Sequence, residues 1–368
     1  MAYRSLKSLF TSSNFNLPYL LNDNDKSFRH YFEVRMEEYL TEIKKIPLNT
    51  FNANDKDDLI VDIKEIVEDL DNVFETYLKG FPSAAYLQFC NLIKKNNLSP
   101  FLIDYRTIKL NAGHRFYRTK KEYTKNNPIN GKISYCGVNK LYNCLDMFHV
   151  PFQKRKTIGT NRFSIPGYPC LYLSDSLYTS WSECMADEKK DFSPFHAISF
   201  SNNRPLHIVD FAPLNFINRK KSTLIVNGYV VQDNVSIIQY ARLYPIIIAC
   251  HSKIKYKTNY NGEIKFKSEY IIPQMLLQWF RENNYIIDGI RHLSCASSLK
   301  FPNKNIQKYN YVLPVSNCTE FGYCSSLQHI FSSSRVYTFI KNKTKAPIDN
   351  VISSATSSLR KQTFYPLV

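Results

Sequence analysis

The spacing of apolar residues changes near residue 100, and this change constrains the fold of the chain more than any other feature. Between residues 26 and 46 the apolar side chains recur every three or four positions, as in a helix with one buried face, and Pro47 ends the pattern. A second stretch with this period runs from about Asp57 to Lys79, and a third begins at Ser83. The first hundred residues therefore predict a small bundle of helices.

Short apolar runs separated by turn residues follow this helical region. They predict strands at residues 102–110, 115–118, 169–174, 197–200, 206–211, 246–250 and 311–315, and a further strand at 336–340. Helices are predicted between them, notably at residues 272–282. The chain is thus expected to be an α+β protein, with a helical domain over residues 1–100, a sheet domain over 101–330 and a C-terminal extension over 331–368.

Composition narrows the class of protein. The 368 residues are 44% hydrophobic, which is enough for a real core, and no apolar run approaches the roughly 20 residues that a membrane-spanning helix needs. The N-terminus lacks the apolar segment of a secretory signal. The nine cysteines show neither CxxC pairs nor zinc-like spacing with histidine. We therefore expect a cytoplasmic protein with reduced thiols, no metal site and no membrane contact.

The net charge of +17 is unevenly distributed along the chain. Residues 1–100 hold 12 Lys and Arg against 15 Asp and Glu, a net charge of −3, whereas the remainder holds 36 against 16, a net charge of +20. A basic body of this kind attracts nucleic acid, a phosphate-bearing cofactor or an acidic partner. Charge alone does not choose among these three.

The stretch from residue 162 to residue 183 predicts a ligand site. It places Arg162 in a turn, Tyr172 in a buried strand and Glu183 about two turns into a helix, which Asp175 and Ser176 would open as its N-cap. A cation for an anionic ligand, a flat ring and a carboxylate would then meet at one end of a strand. The alternatives are a structural ion pair for Arg162 and a packing role for Tyr172.

Arg162, Tyr172 and Glu183, which stand ten and then eleven residues apart, resemble the defining residues of the RES toxin domain. That domain ends in a serine, and Ser294 stands in register with it, although Ser297 and Ser298 are close enough to compete for this assignment.

Further motifs extend the resemblance over roughly residues 114–320. Residues 116–118 resemble the opening strand of the RES domain, and residues 147–155 and 273–279 resemble the larger subgroup in which a HEPN-like helical region precedes it. One departure is visible, because His292 and Leu293 replace the usual tyrosine and proline before the serine.

The resemblance implies an ADP-ribosyltransferase-like fold and an enzyme that degrades NAD. The reaction would break the bond between nicotinamide and ribose by hydrolysis or, with inorganic phosphate, by phosphorolysis. NAD depletion would arrest growth, so the resemblance also implies a toxin or defence effector controlled by an antitoxin or regulatory protein. The acidic helical domain is a candidate for regulation or for assembly into a homo-oligomer.

Each candidate residue has a chemical role in this interpretation. The Arg162 guanidinium would bind phosphate oxygens of NAD in a fork, and Arg118 would add a second phosphate contact. Tyr172 would stack on nicotinamide. Glu183 would bind the ribose 2′-hydroxyl, stabilise the developing cation and orient the attacking water or phosphate. Ser294 would donate a hydrogen bond to the nicotinamide carboxamide or to Glu183.

Two other functions remain open at this stage. A protein ADP-ribosyltransferase would use the same site but pass ADP-ribose to a protein side chain. A non-catalytic nucleic-acid-binding protein would use the net charge of the basic body and leave NAD intact.

Overall fold

The computed structural model combines helices with a large sheet, so the predicted α+β class is confirmed. The chain divides into two compact units. The residues that the structure describes are 5–10, 12–15, 17–22, 26–47, 53–121, 142–184, 194–212, 224–226, 229–231, 234–255, 266–283, 287–295, 308–340 and 348–367.

Helices and strands are distributed over the whole described chain. The described residues form the helices α1 (Leu6–Phe10), α2 (Phe28–Lys44), α3 (Ala53–Leu78), α4 (Pro82–Lys95), α5 (Leu177–Cys184), α6 (Asn234–His251), α7 (Ile271–Glu282), α8 (Ser325–Ile330) and α9 (Ile348–Arg360). They form the strands β1 (Tyr19–Asn22), β2 (Thr107–Leu110), β3 (Arg115–Lys121), β4 (Cys170–Ser174), β5 (Pro194–Asn202), β6 (Leu206–Asp210), β7 (Leu224–Val226), β8 (Tyr229–Val231), β9 (Ser252–Lys255), β10 (Gly289–Leu293), β11 (Tyr309–Pro314), β12 (Phe331–Ser333), β13 (Tyr337–Ile340) and β14 (Tyr365–Pro366).

The first unit comprises Met1–Ile108, Thr160–Pro166 and Ile208–Ile287. It contains α1 to α4, α6 and α7, and the three helices that the sequence predicts before residue 100 are confirmed as α2, α3 and α4. Helix α3 packs against both α2 and α4. The buried side chains of these helices include Phe28, Phe32, Met36, Ile63, Ile66, Leu70, Phe89 and Leu92.

Polar contacts fix the ends of α2 in the first unit. The Ser27 hydroxyl accepts a hydrogen bond from the His30 amide at 3.2 Å, as expected of an N-cap. At the other end, the buried Lys56 ammonium donates to the carbonyls of Lys44 at 2.8 Å and Ile46 at 2.6 Å. A cation is favourable there because the last carbonyls of a helix lack partners and carry partial negative charge.

One strand prediction in the first unit is wrong, and a second, for residues 102–110, is wrong in its first half. Residues 246–250 lie inside α6, because a short run of buried isoleucines fits a buried helix as well as a buried strand. Pro245 lies inside this helix directly before the run. Because proline usually ends a helix, the sequence pattern predicts a boundary there. Residues 101–105 form a π-helical turn, and β2 begins only at Thr107.

The second unit comprises Lys109–Gly159, Gly167–His207 and Asp288–Val368. Its strands follow the order β14-β12-β5-β3-β4-β11-β10, and β13 also pairs with β5. These described pairs are antiparallel. The division between the units falls within β2 and β6. The domain boundaries near residues 100 and 330 stay predictions.

Helices α5 and α9 share one hydrophobic cluster with the strands of the second unit. It consists of Tyr117, Leu177, Tyr178, Trp181, Phe195, Ala197, Ile352, Ala355 and Leu359. Tyr178 and Trp181 are therefore packing residues. The cluster holds α5 against the sheet and so determines where the end of α5 lies.

Candidate functional site

Four of the five predicted site residues belong to the second unit. Arg118 is on β3, Tyr172 is on β4, Glu183 is in the last turn of α5, and Ser294 directly follows β10. Arg162 belongs to the first unit.

The path from β4 into α5 follows the sequence prediction. The Ser176 hydroxyl accepts a hydrogen bond from the Thr179 amide at 3.1 Å, so Ser176 is the side chain that caps the helix. Helix α5 begins at Leu177 and carries Glu183 near its end. Beside Glu183, the Cys184 thiol donates to the Thr119 carbonyl at 3.2 Å, which ties this end of α5 to β3.

The Glu183 carboxylate is held through one of its two oxygens. Its Oε1 accepts hydrogen bonds from the Ser294 hydroxyl and, at 2.7 Å, from the Asn310 side-chain amide. In the described part of the chain, Oε2 accepts no hydrogen bond, and Glu183 is exposed. The contact with Ser294 is one of the two that the sequence predicts for this serine, and its role in catalysis stays a prediction. Ser297 and Ser298 lie outside the described residues.

Asn310 is the residue of this cluster that the sequence analysis missed. It lies on β11, opposite Ser174 of β4 and His292 of β10. The Ser174 hydroxyl donates to the Asn310 side-chain oxygen at 2.6 Å. Asparagine is unusual between the two tyrosines of a strand, and this was the available signal. Tyr172 lies two residues before Ser174 and therefore on the same face of the sheet.

Arg118 is a half-buried cation without a carboxylate partner among the described residues. Its guanidinium donates one long hydrogen bond, 3.4 Å, to the Tyr172 carbonyl. Burial lowers its pKa to about 10, because the charged form loses hydration. The group remains charged at neutral pH. A guanidinium in this state is suited to an anionic ligand.

Cys184 links the surroundings of Arg118 and Glu183. Burial raises the pKa of its thiol to about 12, the Arg118 guanidinium acts to lower it, and the Glu183 carboxylate acts to raise it. A single thiol thus experiences both charges, so the cation and the carboxylate lie within electrostatic range of one point. The thiol itself stays protonated at neutral pH and is a poor nucleophile.

Arg162 makes contacts within the first unit. Its guanidinium donates to the Cys250 carbonyl at 3.0 Å and lies over the Tyr270 ring, 4.9 Å from the ring centroid. The side chain is buried. The carbonyl and the aromatic ring orient the guanidinium. The phosphate-binding role of Arg162 stays a prediction.

His149 is a buried, hydrogen-bonded core residue. Its Nδ1 donates to the Val150 carbonyl at 2.8 Å, and its Nε2 accepts from the Cys324 amide at 2.9 Å. These partners specify a neutral ring. Burial lowers its pKa to about 4, with a smaller contribution from the Arg118 guanidinium.

The fold should therefore lose stability as pH falls from about 6.5 to about 4. The unfolded state takes up a proton on His149 within this range before the folded state does, so protonation favours unfolding. We expect the unfolding midpoint of the wild type to fall more steeply over this range than that of His149→Gln. Urea unfolding at pH 7 and pH 4.5 measures the difference, and parallel losses in the two proteins would contradict it. The exposed His329, changed to Gln, is the control.

No protein-family model and no solved structure matches the chain. Among the described residues, no helix is both long and apolar enough to cross a membrane.

In sequence, the chain is similar to a protein of Bacillus subtilis (strain 168) that bears the name "Putative toxin YopC". The two are 28% identical over 316 residues, and the match covers 83% of this chain. It covers 64% of the relative, so the chain spans less than two thirds of that protein's length.

Proposed function

We propose that this chain is a toxin of the RES type that degrades NAD by cleaving its nicotinamide–ribose bond. The observation that carries the proposal is the state of Glu183, whose carboxylate is fixed through Oε1 while Oε2 accepts no hydrogen bond from the described residues. The resemblance of the sequence motif to the RES domain supports the proposed family. The similarity to a protein named as a toxin supports the proposed biological role. An ADP-ribosyltransferase-like fold for the second unit is part of the proposal.

Glu183 would act on the ribose. As the C1′–nitrogen bond breaks, nicotinamide leaves with the bonding electrons and C1′ gains positive charge, which a nearby carboxylate stabilises. Oε2 would accept the ribose 2′-hydroxyl proton in a hydrogen bond. An oxygen of water or of inorganic phosphate then bonds to C1′, and water loses its proton to solvent in the hydrolytic case.

The cation and the ring would bind the rest of NAD. Arg118 carries a positive charge without a carboxylate partner in the described chain, which favours the diphosphate as its ligand. Tyr172 follows on the adjacent strand and offers a flat face for nicotinamide. A phosphate-binding role for Arg162 also stays part of the proposal.

Such an enzyme would harm the cell that makes it. Loss of NAD would arrest growth, so we propose that an antitoxin or another regulatory protein binds this chain. Assembly into a homo-oligomer is a further proposal, for which the acidic helices before residue 100 are the candidate surface. These partners are proposed for the chain as a whole.

The purified chain should release nicotinamide from NAD, and the products identify the acceptor. We would incubate the full chain with NAD labelled in the adenylate part, with and without inorganic phosphate. Free ADP-ribose indicates hydrolysis, phosphorylated ADP-ribose indicates phosphorolysis, and label on protein indicates a transferase. Unchanged NAD at all enzyme concentrations would overturn the proposal, and salt-sensitive binding of DNA or RNA would then favour the nucleic-acid-binding function.

A further inference from the structure

The orientation of the Asn310 amide is determined on both sides. Its oxygen accepts a hydrogen bond from Ser174, whose side chain is buried, at 2.6 Å. Its nitrogen donates to Glu183 Oε1 at 2.7 Å. A flipped amide would place its oxygen against the carboxylate and its nitrogen against the hydroxyl, so the donor must face Glu183.

Glu183 occupies a position that is unfavourable for a carboxylate. It is in the last turn of α5, where the helix carries partial negative charge and a cation would be preferred. The two neutral donors on Oε1 offset this repulsion in part and restrict a side chain with three rotatable bonds. The arrangement therefore serves the orientation of the carboxylate more than the stability of α5.

We propose that Asn310, held by Ser174, is a positioning residue that fixes Glu183 through Oε1 and presents Oε2 to the ribose of NAD. The inference rests on the proposed function. It adds Asn310 to Ser294 as a second residue that positions the Glu183 carboxylate. With the Asn310 amide absent, Ser294 is the one donor to Oε1 left among the described residues, and the carboxylate rotates about that hydrogen bond. Misplacement of a reacting group by about 1 Å lowers turnover by as much as about 100-fold.

Kinetics of variants test the positioning role. Asn310→Leu keeps a similar volume without the donor, and we expect kcat for NAD cleavage to fall about 10- to 50-fold while KM changes less than about threefold. Ser174→Ala should lower kcat less, because Asn310 keeps its contact with Glu183. Asn317→Leu is the matched control, because it makes the same substitution elsewhere in the same unit, where the Asn317 amide donates to the Ser326 hydroxyl at 2.8 Å.

Titration of the Glu183 carboxyl gives a readout that needs no substrate. In Asn310→Asp a second carboxyl replaces the amide beside Oε1, and the like charge should raise the pKa of the pair by about one unit or more. Carbon-13 NMR of protein labelled at its glutamates measures this pKa shift. The Glu183 signal is identified as the one that is absent from the spectrum of Glu183→Gln. Arg118, Lys120 and Lys121, which influence the adjacent Cys184, are unchanged in the variant.

The outcomes separate this inference from the proposed function. A raised pKa in Asn310→Asp together with a loss of kcat in Asn310→Leu supports positioning. The raised pKa in a chain that leaves NAD intact supports the contact and overturns the function. An unchanged Glu183 titration, or full kcat in Asn310→Leu, overturns the inference. An equal fall of kcat in Asn317→Leu would indicate a loss of folding and would also overturn it.

Discussion

Replacing Glu183 with glutamine should lower kcat for NAD cleavage by roughly 1000-fold while leaving NAD affinity within about threefold. Glutamine keeps a carbonyl oxygen that accepts from Ser294 and Asn310, so the side chain retains its position. It replaces Oε2 with an amide NH2 group and removes the negative charge that would stabilise the ribose cation. Nicotinamide release and calorimetric NAD titration measure the two quantities.

The stability of Glu183→Gln distinguishes a catalytic effect from a folding defect. A neutral side chain at the end of α5 is tolerated better than a carboxylate, so the unfolding midpoint should stay unchanged or rise. Glu320→Gln, at an exposed position of the same unit, is the control and should keep full activity. Full turnover by Glu183→Gln would refute the assignment of the site.

A second large effect is expected at Arg118, where methionine should weaken NAD binding by roughly 100-fold. The guanidinium contributes one long hydrogen bond to the protein and has no carboxylate partner in the described chain. Its charge is therefore available to the diphosphate of NAD. Arg118→Lys should recover only part of the affinity, because an ammonium cannot form the paired contact. To measure affinity without turnover, each Arg118 change is combined with Glu183→Gln, and equilibrium binding of NAD to these double variants is compared with binding to Glu183→Gln alone.

Arg115 provides the matched control on the same strand. Its guanidinium donates to the Arg360 carbonyl at 3.0 Å and lies over the Phe364 ring, 4.9 Å from the ring centroid. Arg115→Met should leave NAD affinity unchanged. Arg118→Met should unfold at the same midpoint as the wild type or a higher one, since it removes a charge that burial disfavours. Equal affinities in the two methionine variants would exclude Arg118 from the NAD site.

Features that depend on neighbouring residues could be predicted from the sequence. The N-cap at Ser176 needs only a hydroxyl beside the first turn of a helix, and the period of apolar residues in α2 needs only one buried face. For the same reason, the strand that carries Tyr172 and the helix that carries Glu183 were placed correctly.

Features that depend on distant residues could not be predicted. Asn310 meets Glu183 across 127 residues of sequence, and an asparagine in a strand does not specify its partner. The division into units is equally non-local, because Arg162 lies in a short segment that joins the first unit while Tyr172 lies in the second. Even local structure could not be predicted at residues 246–250, because burial on all sides removes the periodicity that distinguishes a helix from a strand.

The packing of α9 against α5 has a consequence for the order of events during synthesis. Trp181 of α5 shares its cluster with Ile352 and Leu359 of α9, and Glu183 depends on β10 and β11 for its hydrogen bonds. A ribosome that has made α5 has not yet made these supports, and domains fold only when their parts have emerged. A growing chain would therefore lack the assembled carboxylate site, which would give the proposed antitoxin time to bind before the proposed NAD cleavage can begin.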